Sequence, residues 1–278
     1  MLEPITREIM KQRLINAART DERIVGLIDY GSSSQGRDDQ WSDIDVSLFI
    51  RDADLAAFKR NWKSWAAQLG DLLLAYIGGV GHPWTVYAAQ PVPLRIDFNF
   101  YGESEIAQIV NWPYSPQSVE AAIWYDNSGG QLADCLQQLV GKTLQPENLA
   151  ATFEQICGDF WYYVLYAFSK WKRDQSWLAR QTFHFQIMQN LFALLRIEAG
   201  ALDHWQDTSA AWNVEHSLSP QRLAQLETCI PAPGQAALKQ TLLAAAQLGE
   251  DVCIQIALQH AWDWPHELAK RTLQLLSA

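Results

Sequence analysis

The chain predicts an α+β fold, a sheet with flanking helices followed by an all-helical bundle, and three observations predict it. Runs of Ile, Val, Leu and aromatic residues at 24–30, 42–50, 84–89 and 94–100 carry strand-like patterning and are separated by amphipathic or turn-forming stretches. Beyond residue 146 the periodicity is almost wholly helical, broken mainly near 218–220 and at IPAPG, 230–234. A hydrophobic content of 49% with 19% charged residues leaves no segment with the composition of a disordered chain. At 278 residues there is room for two domains of ordinary size, and the change of character places them at 1–145 and 146–278.

The chain opens with a helix over residues 4–18, where Met10, Leu14 and Ala17 recur at helical spacing and Asp21 closes the element. IVGLIDY, 24–30, is a buried strand, and after the loop GSSSQGRDDQW a second strand runs over 42–50. In that second strand Ile44, Val46, Leu48 and Ile50 share one face while Asp43, Asp45 and Ser47 share the other. An N-cap at Asp52 or Asp54 starts a helix whose Leu55, Phe58, Trp62, Trp65 and Leu69 form an apolar stripe for packing on the sheet. Past Gly78, Gly79 and Gly81, WTVYAA and LRIDFNF read as two more strands joined by QPVP. In LRIDFNF the apolar Leu94, Ile96, Phe98 and Phe100 alternate with Arg95, Asp97 and Asn99, and Arg95 is a candidate ion-pair partner for Asp97. From Trp112 the stretches YSPQS and YDNSGGQ are turn-rich, and a long helix over 146–173 then carries a core stripe of Leu149, Phe153, Ile156, Phe160, Val164, Ala167 and Trp171.

Composition excludes several classes. The net charge of -10 is spread over both halves and would repel a nucleic acid backbone. Four widely separated cysteines show no C-x-x-C spacing, which argues against a structural zinc site or a disulfide framework and for reduced thiols in a cytoplasmic protein. The first residues carry charges throughout with no apolar signal-peptide core, and no apolar run is long enough to span a bilayer, so no membrane partner is expected. Thirteen tryptophans must sit mainly in cores or broad apolar contacts; those around Trp161, Trp171 and Trp177 suit either the bundle core or a subunit interface. His184, between Phe183 and Phe185, reads as a packed, hydrogen-bonded histidine.

Aspartates at i and i+2 on a strand project to one side, and Asp43 and Asp45 repel each other unless a cation lies between them. Mg²⁺, which takes hard oxygen ligands and completes its shell with water and substrate phosphates, is the natural choice. Asp97 on a later strand adds a third carboxylate, leaving an oxygen to face an incoming hydroxyl. Gly31 and Ser32 supply the anion side, the glycine by close backbone approach and the serine by its hydroxyl. The loop is neither a Walker A motif, since G-K-[ST] is absent, nor a G-x-G-x-x-G dinucleotide fingerprint. A nucleoside triphosphate held through its phosphates to a metal on Asp43 and Asp45 suits the pattern.

Gly31-Ser32, ten residues, then Asp43-Ile44-Asp45, with Asp97 later, resembles the signature of the DNA polymerase β type nucleotidyltransferase superfamily. DERI before the first strand, YGS, DDQWSDI and IWYDNSGGQL are similar to the lincosamide nucleotidyltransferases and, more distantly, to the aminoglycoside nucleotidyltransferases. The resemblance implies a nucleotidyltransferase-type mixed sheet and transfer of a nucleoside monophosphate, usually AMP from ATP, to an antibiotic hydroxyl with release of pyrophosphate. It implies that Asp43 and Asp45 bind metal, that Asp97 binds metal or acts as general base, and that Gly31, Ser32 and Ser42 hold the nucleotide. Relatives often carry Glu in place of Asp97, and the shorter side chain reaches the metal more readily than the acceptor. A lincosamide is the expected acceptor, with an aminoglycoside, another small-molecule hydroxyl or a non-catalytic nucleotide-binding module as alternatives; relatives are commonly homodimers.

Beside the core stripe of the long helix runs a second line, Asp159, Tyr163, Tyr166 and Lys170, spaced four, three and four. It reads either as an acceptor-binding face or, preferably, as the mixed boundary that any bundle helix carries.

Overall fold

The computed structural model describes residues 5–206 and 208–278, so the expected helix start at Pro4 lies outside the described residues. The chain divides into two compact units, the first ending at Thr143 and the second beginning at Leu144.

In the first unit α1 (Arg7–Thr20) is capped by Thr6, whose hydroxyl accepts from the Ile9 amide, and stops at Asp21. β1 (Ile24–Asp29), β2 (Ile44–Ile50), α2 (Asp52–Ala66), β3 (Leu72–Ile77), β4 (Pro83–Tyr87) and β5 (Leu94–Gly102) follow. A 3-10 helix (Glu103–Asn111), the short α3 (Val119–Ala122), β6 (Ile123–Asp126) and α4 (Gln131–Gln137) complete the unit. The strands form one six-stranded mixed sheet in the order β3-β4-β5-β2-β1-β6, and its single parallel pairing joins β2 to β5.

Period two then sorts the side chains onto two faces. On one, Ile44, Val46, Leu48, Ile96 and Phe98 pack with Met10, Leu14, Phe58, Trp62 and Trp65 from α1 and α2. On the other, Val25, Ile28 and Phe49 pack with Ile106, Ile109, Leu132 and Leu136. Each such fully buried side chain contributes about 1.5–3 kcal/mol. Two expectations need correction. Neither Asp52 nor Asp54 is the N-cap of α2: Arg51 takes that place with no side-chain cap, and Asp52 instead accepts from the Ser104 hydroxyl at 3.0 Å. LLLAYI, passed over as a strand, is the edge strand β3, with Leu73, Leu74, Tyr76 and Ile77 exposed.

In the second unit α5 (Leu149–Lys172), α6 (Ser176–Thr182), α7 (Met188–Ala199), α8 (Val214–Ser217), α9 (Pro220–Glu227), α10 (Gln235–His260) and α11 (His266–Ser277) enclose a single core. A π-helical turn, Phe183–Ile187, joins α6 to α7 and leaves His184 exposed rather than packed, in edge contact with Phe183. α10 is long and apolar enough to cross a membrane by length and composition, contrary to the expectation from the sequence, and half of its most apolar window is buried. Its Leu238, Leu242, Ala245, Ala246, Val252, Cys253 and Ile256 lie in the bundle core. Trp161 is fully buried in that core while Trp177 is 85% exposed. All four cysteines are free thiols.

Candidate active site

β1 and β2 place the Gly-Ser turn and the aspartates at one end of the sheet. The antiparallel ladder runs one step past β1, where the Tyr30 amide donates to the Asp45 carbonyl at 3.0 Å. β5 lies parallel to β2 in a register that pairs Asp45 with Asp97, Ser47 with Asn99 and Phe49 with Tyr101. The parallel pairing therefore sets two carboxylates side by side on neighbouring strands, about 5 Å apart at the backbone, above a buried Ser and Asn.

Gly31 is required by this packing. A Cβ placed there would lie 2.8 Å from the Asp45 Cβ and closer still to its Oδ2. The turn folds around Asp29, which is fully buried and whose Oδ1 accepts from the Gly31 amide at 3.1 Å and the Ser34 amide at 2.9 Å. The Ser34 hydroxyl donates to the Gly31 carbonyl at 2.8 Å, and the Arg37 amide donates to the Ser32 carbonyl at 2.9 Å. The other oxygen of Asp29 and the Ser32 hydroxyl are both buried without a hydrogen-bond partner.

This cluster is short of positive charge. Burial, followed by the charges on Asp43, Asp97 and Asp29, pushes Asp45 up to about 7, with Arg95 pulling the other way. Asp97 is raised by burial and then by Asp43, against Arg95 and His82. Asp29 is raised by burial despite the two amides that it accepts. Tyr30 is raised by burial and then by Asp45 and Asp97, while a hydrogen bond to Asn99 lowers it. A half-buried carboxylate raised by its carboxylate neighbours, with hard oxygens in adjoining positions, belongs to a donor set that fits a divalent cation such as Mg²⁺.

Asp43 is already engaged by a cation. Arg95 pairs with Asp43 at 2.7 Å rather than with Asp97, and the Arg7 Nε donates to the Asp43 carbonyl at 3.2 Å. Among the described residues no three His, Cys, Asp or Glu side chains already form a metal-holding group. Ser42 is occupied within its loop, accepting from the Asp39 amide and donating to the Asp39 carboxylate, both at 3.0 Å. On α5, Asp159 is exposed, the Lys170 ammonium lies 4.7 Å from the centre of the Tyr166 ring, and Tyr163 and Tyr166 meet edge to face at 6.5 Å. Tyr163 also packs against the bundle core, so the line is a boundary between core and solvent.

Sequence reasoning passed over Asp29, Arg7, Tyr30 and Asn99. A carboxylate ending an otherwise apolar strand just before Gly-Ser was the available signal for Asp29; the other three depend on contacts across the fold.

A family model described as streptomycin adenylyltransferase matches residues 94–278, which includes Asp97 and leaves Gly31, Asp43 and Asp45 outside. Among solved structures the chain is similar to an aminoglycoside 6-adenyltransferase from Bacillus subtilis, with 14% identity over 99% of this chain and 100% of that one, at a TM-score of 0.47. It is also similar to a nucleotidyltransferase-like protein from Exiguobacterium sibiricum 255-15, with 13% identity over 97% of this chain and 88% of that one, at a TM-score of 0.36. No curated protein matches.

Proposed function

Because the chain belongs to the streptomycin adenylyltransferase family, and is therefore a nucleotidyltransferase acting on an antibiotic-type substrate, we propose that it transfers AMP from ATP to a hydroxyl of an aminoglycoside. The observation that carries this reading is the in-register pair of Asp45 and Asp97, with Gly31 pressed against Asp45.

The acceptor hydroxyl oxygen forms a bond to the α-phosphorus, the bond from that phosphorus to the bridging oxygen breaks, and pyrophosphate leaves. Asp97, with one carboxylate oxygen left to face the acceptor, takes the hydroxyl proton. Asp45 and Asp97, joined by Asp43 once it parts from Arg95, would hold a divalent cation, which supplies charge neutralisation at the reacting phosphate when bound. Gly31 keeps the turn close to Asp45, and Ser32 offers its unpartnered hydroxyl to a phosphate oxygen. The four free thiols fit a reducing cytoplasm, where ATP is held.

A lincosamide acceptor rests on resemblance in short motifs, whereas the matched family is named for streptomycin, an aminoglycoside. Mass spectrometry of streptomycin, other aminoglycosides and lincosamides, each incubated with Mg²⁺ and ATP, GTP, CTP or UTP, tests both. The expected result is one added AMP on an aminoglycoside with ATP, lost in Asp45→Asn. Modification of lincosamides alone would overturn the acceptor, and triphosphate binding without any product would overturn the transfer to an antibiotic.

A further inference from the structure

Arg7 is the first residue of α1, directly after the Thr6 cap, and its side chain is only 12% exposed. Two costs attach to that position. A cation in the first turn meets the positive end of the helix dipole, and a guanidinium taken out of water needs partners to offset its lost hydration. The stability of α1 explains neither, since that helix is anchored by Met10, Leu14, Ile15 and Ala18.

The partners of Arg7 lie instead in the segment that joins β1 to β2. Its Nη1 donates to the Asp38 carboxylate at 2.5 Å and its Nε to the Asp43 carbonyl at 3.2 Å. Its charge also acts on the buried Asp29, against the effect of burial there. The remaining nitrogen, Nη2, is buried with no hydrogen-bond partner among the described residues, so this is not a fully satisfied structural tie.

The sheet does not do this work itself. Pairing of β2 with β5 begins at Ile44 opposite Ile96, and β1 reaches β2 no further than the bond from the Tyr30 amide to the Asp45 carbonyl. Asp43 lies one residue outside both ladders, and its carbonyl is held by the Arg7 side chain. At the other end of the segment, Asp29 gathers the amides of Gly31 and Ser34 into the Gly-Ser turn. One guanidinium thus binds the end that carries the Asp43 carboxylate and acts electrostatically on the group that folds the end carrying Gly31 and Ser32.

We propose that Arg7 is a positioning residue for nucleotide transfer, locking the segment between β1 and β2 so that the Gly31-Ser32 turn and the Asp43 carboxylate meet the same triphosphate. It touches no reacting atom. A planar fork suits the task, because it spans two separate oxygens at fixed angles, whereas an ammonium is a point charge. The assignment rests on the nucleotidyltransferase reading of the turn and of Asp43.

Arg7→Gln and Arg7→Lys in the full chain test it, with Arg13→Gln as the comparison. Arg13 also lies on α1, where it donates to the Leu69 carbonyl at 2.8 Å, away from the segment. Three quantities are read: ATP binding by calorimetry with Mg²⁺, hydrogen exchange over residues 30–43 without ligand, and kcat and KM for AMP transfer to streptomycin. Arg7→Gln is expected to weaken ATP binding and to speed exchange at Gly31 and Ser34 about tenfold each, to lower kcat/KM for ATP accordingly, and to leave the streptomycin KM unchanged. Arg7→Lys, which keeps the charge without the fork, is expected to fall between Arg7→Gln and the parent, and it decides by the same readouts should Arg7→Gln fail to fold. Arg13→Gln is expected to lower the melting temperature while ATP binding and exchange over 30–43 stay at the parent values. An Arg7 variant that only melts lower, as Arg13→Gln does, overturns the positioning role and leaves the nucleotidyltransferase reading intact. A parent that does not bind ATP with Mg²⁺ overturns that reading and the role together.

Discussion

The two units build polar sites by different means. In the sheet unit, strand register places Asp45 beside Asp97 and Ser47 beside Asn99, and Asp45, Ser47 and Asp97 are each held by backbone pairing on both sides. The helical unit instead holds a cavity of about 840 Å³ walled by one face of α5, with Glu154 and Gly158, and by the turn after α10, where Ala261 takes a left-handed conformation, φ 57°, ahead of Trp262, Asp263 and Trp264. The first site tolerates almost no change of shape, because its backbone spacings are set by hydrogen bonds. The second has spare volume. Chemistry that needs fixed distances suits the former.

That contrast can be broken most severely at Asp45. Asp45→Asn is expected to lower the rate of AMP transfer about a thousandfold, measured as kcat, while raising the stability of the metal-free protein at neutral pH. Because the folded-state value of Asp45 is lifted to about 7, the folded chain binds more protons than the unfolded chain between pH 4 and 7. Stability of the metal-free parent therefore falls as pH rises through that window, by at most about 4 kcal/mol before solvent screening. Thermal melts against pH should show this slope in the parent and a flatter one in Asp45→Asn.

Gly31→Ala is next. The new methyl group collides with Asp45, so denaturant titration is expected to show a loss of about 1–3 kcal/mol, with transfer reduced even under conditions where the variant is fully folded. Within the bundle, two glycines sharpen the comparison by moving in opposite directions. Gly249→Ala is expected to cost about 1–3 kcal/mol against the Phe160 ring, and Gly158→Ala to gain about 0.4–1 kcal/mol; equal signs would show that the cavity is not spare space. The smallest effect is expected at Arg95, whose ion pair with Asp43 is largely exposed. Arg95→Gln should change stability by less than about 1 kcal/mol and tighten Mg²⁺ binding a few-fold, because a competing cation is removed.

The fold class was legible because β2 and β5 alternate: Ile44, Val46, Leu48 and Ile50 against Asp43, Asp45 and Ser47 set one face toward α1 and α2, while Phe49 on the opposite face enters a second core that the alternation did not show. β3 was not, since LLLAYI does not alternate and an edge strand needs no buried face to exist. The role of Asp52 escaped for another reason, as its partner Ser104 lies 52 residues away. Around the carboxylates, residue types were readable and engagements were not. Arg95 sits two positions from Asp97 yet pairs with Asp43, a choice made by strand pairing. Along α5 the periodicity separates core from boundary, but it does not say which side of the helix borders empty volume, because that depends on where α10 ends and how its turn is shaped.

The parallel pairing of β2 with β5 also has a consequence in time. Asp45 and Asp97 are 52 residues apart in the chain and come together only when β2 and β5 meet. Parallel strands need such a long crossover, and contacts of this separation form slowly. The repulsion between the two carboxylates is thus absent from the unfolded chain and is switched on by the step that closes the sheet. A divalent cation acting on that pair would slow unfolding more than it speeds folding if the strands close after the main barrier, and chevron plots with and without Mg²⁺ would date the assembly of the site.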